Sequence, residues 1–92
     1  MKIKFSSTIT ANTEAAAGTS STNGGNVGLA TLVRVHNAGT TERLVSLETS
    51  AAALIGTFTI GGNATELLDK TSTDEIFAAH ADVLLVGIAY YS

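Results

Sequence analysis

The chain contains no cysteine, no proline and no tryptophan. Without cysteine there is no disulfide and no thiolate metal site, and two histidines alone cannot build a structural zinc site. Charged residues make up 14% of the chain, and the formal net charge is −3. Nucleic-acid binding requires clustered basic side chains, and we find no such cluster among the scattered basic residues, which are Lys2, Lys4, Arg34, Arg43 and Lys70.

Long apolar runs are also missing. The two longest, residues 51–55 and 83–89, are far shorter than the roughly 20 residues of a membrane-spanning helix. The start of the sequence, MKIKF, has basic residues but lacks the apolar core that a signal peptide carries behind them. We therefore expect a soluble protein made in a cytoplasm, with no membrane or nucleic-acid partner.

Small residues are abundant instead, because Ala, Thr, Gly, Ser and Asn supply more than half of the chain. Residues 6–26 consist almost wholly of them, whereas β-branched runs begin at Val27. We predict an N-terminal arm over residues 1–26, with a possible edge strand over residues 2–5, and a β-domain over residues 27–92. A disordered tail is the alternative for the arm, although disordered segments are usually more strongly charged. Within the arm, residues 13–18 fit one helical turn.

Short strands separated by turn residues are predicted along the β-domain, over residues 29–36, 43–48, 56–60 and 82–91. In the turns at 37–40 and 61–63, Asn and Gly are expected to supply the positions with positive φ. Residues 49–54 fit a loop or a helical turn. This spacing of strands indicates a sandwich or a partly open barrel.

Two details of this β-domain carry specific expectations. Ser72 and Glu75 have the spacing of a capping box, which predicts a short helix over residues 73–79. The last strand is apolar on both faces, so it is either central in its sheet or covered by a neighbouring chain. Gly87 within it suggests a bulge or a close backbone approach.

The foldable part is small. A domain of about 60 residues buries only about 60% of the surface that its unfolded chain exposes, and domains of this size often need disulfides, metals or oligomerisation. Since the first two are excluded or unsupported, we expect a homo-oligomer or a domain attached to a larger assembly.

No set of residues forms a catalytic, cofactor-binding or metal-binding signature. His36 and His80 match no metal-ligand spacing, and no nucleophile elbow accompanies a possible Ser-His-Asp triad. Arg34 is expected to pair with Glu48 or Glu42 across a hairpin. The carboxylates that could form a hydrolytic pair are Asp69, Asp74, Glu75 and Asp82, of which Asp74 and Glu75 are better explained as charges at a helix N-terminus. We predict that the protein is not an enzyme.

Six segments resemble a recurring kind of small virion protein of tailed bacteriophages. They are VRVHNAGT (33–40), LVSL (44–47), GTFTI (56–60), ELLDK (66–70), TDEI (73–76) and VGIAY (86–90). Such proteins are similar in pattern to immunoglobulin-like β-sandwiches. The resemblance runs from Leu32 to Tyr90, about two thirds of the chain, and its motifs consist of turns and strands without chemistry. The long leader departs from it.

This resemblance implies a small all-β, immunoglobulin-like sandwich with one short helix and an extended N-terminal arm, acting as a capsid decoration (cement) protein. The expected partner is the major capsid protein or another virion protein, and the expected oligomer is a trimer on the capsid surface. The arm would add as a strand to neighbouring subunits. The residues expected at this interface are Lys2, Ile3, Lys4, Phe5, Thr8, Ile9, Thr10, Asn12, Asn23 and Tyr91.

Two other functions stay open from the sequence. The first is an immunoglobulin-like recognition or spacer module of a phage fibre or tail that binds host-surface glycans. The second is a small enzyme or metal protein. Metal analysis would test the latter and a glycan array the former.

Overall fold

The computed structural model describes residues 14–21 and 24–89, which form seven β-strands. The strands are β1 (Ala15–Ala16), β2 (Leu32–Asn37), β3 (Arg43–Glu48), β4 (Leu54–Ile60), β5 (Thr65–Asp69), β6 (Glu75–Ala78) and β7 (Val83–Ala89). One sheet has four strands in the order β1-β7-β2-β5, and the other has three in the order β4-β3-β6. All of these strand pairs are antiparallel. The predicted all-β fold with two sheets is confirmed.

The core lies between the two sheets and consists mainly of β-branched side chains. Along β2 and β7 every second residue is buried, as expected for strands with one face against a core. Both sheets contribute to one contiguous cluster, whose fully buried members include Val33, Val35, Val45, Ile60, Ile76 and Val83. Two sheets that share one apolar core in this way form a small sandwich.

The position of the last strand differs from that in an immunoglobulin domain. There, the last two strands lie side by side in one sheet. Here β6 pairs with β3, whereas β7 pairs with β1 and β2 in the other sheet. The connection from β6 to β7 therefore crosses between the sheets, and the predicted likeness to immunoglobulin domains holds for the two-sheet architecture but not for this pairing.

The predicted helix over residues 73–79 is wrong, because β6 occupies this stretch and the described residues contain no α-helix. The residues of the supposed capping box form a turn, in which the Asp74 amide donates to the Thr71 carbonyl at 2.9 Å. In β6, Ile76 and Ala78 are buried two residues apart. A helix this short is unstable by itself, whereas pairing with β3 satisfies the backbone and buries both side chains.

The predicted helical turn over residues 13–18 is also wrong where the structure describes it. Ala15 and Ala16 are extended and pair with Leu85 and Leu84 of β7. Alanine fits a helix well, but here its small side chain lets the chain lie close against the edge of β7.

The turn over residues 37–40 forms where it was predicted, but by a different mechanism. Neither Asn37 nor Gly39 has a positive φ. The fully buried Asn37 side chain instead holds the turn: its Nδ2 donates to the Thr41 carbonyl at 2.7 Å and its Oδ1 accepts from the Gly39 amide at 3.0 Å. At the second predicted turn, Asn63 does have a positive φ of 59°.

Both expectations for the last strand are confirmed. β7 lies inside its sheet, between β1 and β2. Its register with β2 shifts between Leu32, which faces Ala89, and Val33, which faces Gly87. Ile88 is therefore the extra residue of a bulge, directly beside Gly87.

Candidate interaction surface

The polar segment before β2 crosses from one sheet to the other. We call its described part, residues 14–21 and 24–26, the strap. Its β1 pairs with β7, and the Ala17 amide then donates to the Val83 carbonyl at 2.8 Å. Further along, Gly18 accepts from the Ala78 amide at 2.9 Å. The strap thus joins the four-stranded sheet to β6, the last strand of the three-stranded sheet.

The strap also covers the outer edge of β6 at a second point. The amides and carbonyls of Gly25 and Ile76 exchange two hydrogen bonds, of 3.1 and 2.9 Å. Ala17 is only 5% exposed and belongs to the core cluster. Most of the described part of the predicted arm is therefore packed on its own domain, while the predicted boundary after Asn26 is not tested by these contacts.

Side-chain contacts fasten the strap to each of the two sheets. On the four-stranded sheet, Arg34 forms an ion pair with Glu14. The predicted pairing of Arg34 with Glu48 or Glu42 is wrong, because β2 and β3 lie in different sheets. Arg34 on β2 reaches over β7 to the strap, whereas Glu48 lies on β3 and Glu42 directly precedes it. Each side chain of the ion pair is about one third exposed.

On the three-stranded sheet, the strap covers Glu48, whose side chain is 1% exposed. Ser21 Oγ donates to Glu48 Oε1 at 2.7 Å. Glu48 Oε2 is buried and has no hydrogen-bond partner within the described part of the chain. Gly24 lies so close that a Cβ atom there would stand 2.9 Å from Oε2. Glu48, the last residue of the central strand β3, is thus enclosed by the strap.

The opposite side of the molecule has no such cover from the part of the chain that the structure describes. β4 and β5 are the last strands of their sheets, and residues 61–64 join them. We call the free edges of β4 and β5 the open side. Neither edge has a further strand partner among the residues described.

Large apolar side chains are exposed at or next to this open side. Leu54 at the start of β4 is 64% exposed, Ile55 is 51% exposed, and Leu67 on β5 is 62% exposed. Leu44, on β3 opposite Thr59 of β4, is 45% exposed. Single exposed leucines are ordinary, but several near two free sheet edges indicate a contact surface.

The histidines and carboxylates considered for chemistry are not assembled into one centre. His36 Nδ1 lies 2.9 Å from Thr65 Oγ1 on the outer side of the four-stranded sheet. His80 Nδ1 accepts from the Asp82 amide at 3.0 Å, and Arg43 Nη2 lies 3.6 Å from Asp82 Oδ2. Within the described ranges, no three His, Cys, Asp or Glu side chains are close enough together to hold a metal ion.

Asp74 and Glu75 do not lie at a helix N-terminus, so the reason predicted for their charges is wrong. Asp74 accepts from the Thr71 amide at 3.3 Å in the turn before β6, and Glu75 is the first residue of β6, directly opposite Glu48. Both carboxylates act on Lys70 by raising its pKa, but burial has the larger effect and lowers that pKa to about 8. Lys70 Nζ donates to the Ser72 carbonyl at 3.0 Å.

All of the predicted interface residues lie outside the described residues: Lys2, Ile3, Lys4, Phe5, Thr8, Ile9, Thr10, Asn12, Asn23 and Tyr91. The same holds for the predicted edge strand over residues 2–5 and for Tyr90. What the sequence reasoning missed is the strap. The signal was the run Ala15–Ala17 between polar neighbours, because three small apolar residues fit a strand packed closely on a sheet edge.

No helix among the described residues could cross a membrane. Comparison with models of known protein families, with curated proteins and with solved structures finds no match to this chain. The resemblance to small phage virion proteins therefore stays a prediction.

Proposed function

We propose that the protein is a structural virion protein of the capsid decoration (cement) type, which binds the outer surface of a phage head and stabilises it. Its partner in this role is the major capsid protein or another virion protein, and the protein acts as a homo-oligomer on the particle. The sequence resemblance over residues 32–90 supports this class of protein.

The structural observation that carries the proposal is the uneven covering of the two sides. The strap covers β6 and fastens both sheets, whereas the edges of β4 and β5 carry exposed Leu54, Ile55 and Leu67. A small domain that leaves apolar sheet edges uncovered can bury them against other subunits. Many such contacts of modest strength act together on a particle with many copies.

The strap also narrows the part of the arm that can reach another subunit. Because residues 15–18 and Gly25 pair with their own sheets through the backbone, we assign the capsid contacts of the arm to residues 1–13. It carries Lys2 and Lys4 and no acidic residue, whereas all eight acidic residues lie between Glu14 and Asp82. This basic segment suits an acidic groove or sheet edge on a neighbour.

The test is a pair of variants compared with the full chain for binding to purified phage heads that lack the protein. One variant lacks residues 2–13. The second variant keeps the full length of the chain but replaces Lys2, Ile3, Lys4 and Phe5 by Ser. Both should keep the melting temperature, since the strap is intact. We expect both variants to bind the heads about tenfold or more weakly than the full chain does, because avidity is lost. Co-sedimentation measures this binding.

Binding that is unchanged in both variants would remove residues 1–13 from the interface. Absence of binding by the full chain to any head, together with electron cryo-microscopy that finds no copy on intact particles, would overturn the function itself. A signal on a glycan array in that situation would favour the recognition module instead.

A further inference from the structure

The two free edges on the open side differ in charge. β5 has an acidic residue at two of its five positions, Glu66 and Asp69. β4 has seven residues, LIGTFTI, without a charge or a proline. Charged side chains and proline are the usual means by which a protein prevents its edge strands from pairing with other chains. β5 carries this protection and β4 does not.

We infer that β4 pairs antiparallel with β4 of a second copy, which gives a continuous six-stranded sheet across a two-fold axis from two three-stranded sheets. This inference deepens the homo-oligomer of the proposed function, with which it shares the open side, and it is tested on the protein alone in solution, so that its failure is distinguished from a failure to bind heads. The amides and carbonyls along the outer edge of β4 have no strand partner among the described residues, and the same groups of the second copy would satisfy them.

Charge decides which chain fits this edge. A two-fold axis places each strand against itself, so a strand with acidic residues would bring like charges together, which is unfavourable in a cross-strand pair. β4 avoids this conflict, whereas β5 would not. Residues 1–13 of another copy are a poorer partner for β4, because Lys2 and Lys4 would find no acidic residue on it.

Apolar side chains next to this edge favour the same pairing. Leu54 and Ile55 are 64% and 51% exposed, and both lie at the start of β4. The register between β3 and β4 shifts there, so that Ile55 is the extra residue of a bulge and the regular part of the strand runs from Gly56 to Ile60. An antiparallel partner centred on residues 56–60 brings Leu54 and Ile55 of one copy near the Ile60 end of β4 in the other copy.

The first measurement is the molar mass as a function of concentration, by sedimentation equilibrium. The wild-type chain should change from monomer to dimer with rising concentration. The double variant Thr57→Lys, Thr59→Lys changes two exposed positions of β4. The dissociation constant of its dimer should be about tenfold or more higher than that of the wild-type chain, because the lysines meet across the axis. The matched control Thr65→Lys, on exposed β5, should leave the dimer unchanged.

Circular dichroism and the melting temperature check that the lysine variants fold. Should the double variant fail to fold, single cysteines supply a second measurement, since the chain has no cysteine of its own. Thr57→Cys, Thr59→Cys and an equimolar mixture of both are cross-linked with a short bismaleimide and compared with Thr65→Cys. Covalent dimers at β4 but not at β5 support the inference.

Four results would overturn it. The wild-type chain could remain monomeric at several hundred micromolar, it could form a trimer without a dimer, or its dimer could be insensitive to lysines on β4 and yield no cross-link there. Preferential cross-linking of Thr57→Cys to Ser7→Cys in a mixture of the two variants would instead identify residues 1–13 as the occupant of this edge, and would equally contradict it.

Discussion

The two sides of this molecule bury their sheet edges in different ways. On one side the strap, a segment built mostly of small residues, lies along β6, contributes β1 to the other sheet and encloses Glu48. On the open side, β4 and β5 end their sheets without a described partner and expose Leu54 and Leu67 by more than 60%. On the strap side the chain covers its own sheet edges, whereas on the open side none of the residues that the structure describes does so.

The comparison shows that apolar composition does not decide which edge is covered. The covering segment contributes Ala17 as its buried apolar side chain and otherwise acts through backbone hydrogen bonds to Val83, Ala78 and Ile76. Backbone pairing requires only that two chains approach closely, and small residues allow this. The uncovered edges are those where the sequence places large apolar residues, as expected if a second chain supplies the rest of their burial.

The sharpest way to separate the two sides is to place the same charge on each. Ala17→Asp puts a carboxylate at a site that is 5% exposed and should lower the free energy of unfolding by about 3 kcal/mol or more. Leu54→Asp places it at a site that is 64% exposed, where surface substitutions change stability by about 0.5 kcal/mol or less. Urea unfolding of both variants measures the difference.

A result that contradicts the comparison is equally clear. If Ala17→Asp unfolds at the same urea concentration as the wild-type chain, the strap is not part of the folded core. If Leu54→Asp is as damaging as Ala17→Asp, the open side is more deeply buried than its exposure indicates. Since Leu54→Asp also adds charge to β4, it should weaken self-association at the same time.

The contact between Ser21 and Glu48 predicts a smaller effect on the strap side. Ser21→Ala removes the hydroxyl that donates to Glu48 Oε1 at 2.7 Å. Both oxygens of a carboxylate that is 1% exposed then lack a partner among the described residues, and the free energy of unfolding should fall by about 2 kcal/mol. The matched control Ser50→Ala, in an exposed turn, should change it by less than about 0.5 kcal/mol. Equal effects of the two substitutions would show that the contact does not hold the strap.

The strands could largely be predicted from the sequence, because the period of two is a local signal. β3 has the predicted bounds, residues 43–48, and Val45 is buried in the core as predicted, although Ser46 and Glu48 on the other face are buried as well. The bulge beside Gly87 was predictable for a similar reason, since glycine within an apolar strand marks an irregular pairing.

The strap could not be predicted in this way, because its position depends on partners distant in sequence. Ser21 meets Glu48 across 27 positions, and no periodicity links them. The helix predicted from residues 72–75 was wrong for another reason, because a capping box and a turn before a strand contain the same residue types. There the decision depends on β3, which offers an edge for β6 to pair with.

Lys70 gives a prediction about pH, at the connection between the open side and the strap side. Burial lowers the pKa of Lys70 to about 8, below its value of about 10.5 in the unfolded chain. Between these two values the unfolded chain binds more protons than the folded protein does, so stability should rise as the pH increases from about 8 to about 10.5.

The expected rise is about 1.5 kcal/mol, roughly half of what the whole pKa difference would give, because Lys70 is still 8% exposed and water screens part of its charge. Melting temperatures across this pH range measure it. Lys70→Met keeps the aliphatic stem and removes the titrating group, so the variant should lose the rise that the wild-type chain shows. A wild-type stability that falls or stays level over this range, relative to Lys70→Met, would contradict the burial of the ammonium group.

The smallest effect concerns the turn that leads into β4 on the open side, where two adjacent alanines should respond in opposite directions. Ala52 has a φ of 65°, in the left-handed region, whereas its exposed neighbour Ala51 has no positive φ. A left-handed conformation costs an L-residue about 1–2 kcal/mol, and glycine costs about 0.5–1 kcal/mol in conformational entropy. Ala52→Gly should therefore stabilise the fold by about 0.5–1 kcal/mol, and Ala51→Gly should destabilise it by a similar amount. Both side chains are exposed, so packing contributes little to either change, and thermal unfolding of the two variants isolates the backbone term. A loss of stability in both would mean that the turn before β4 adopts another conformation.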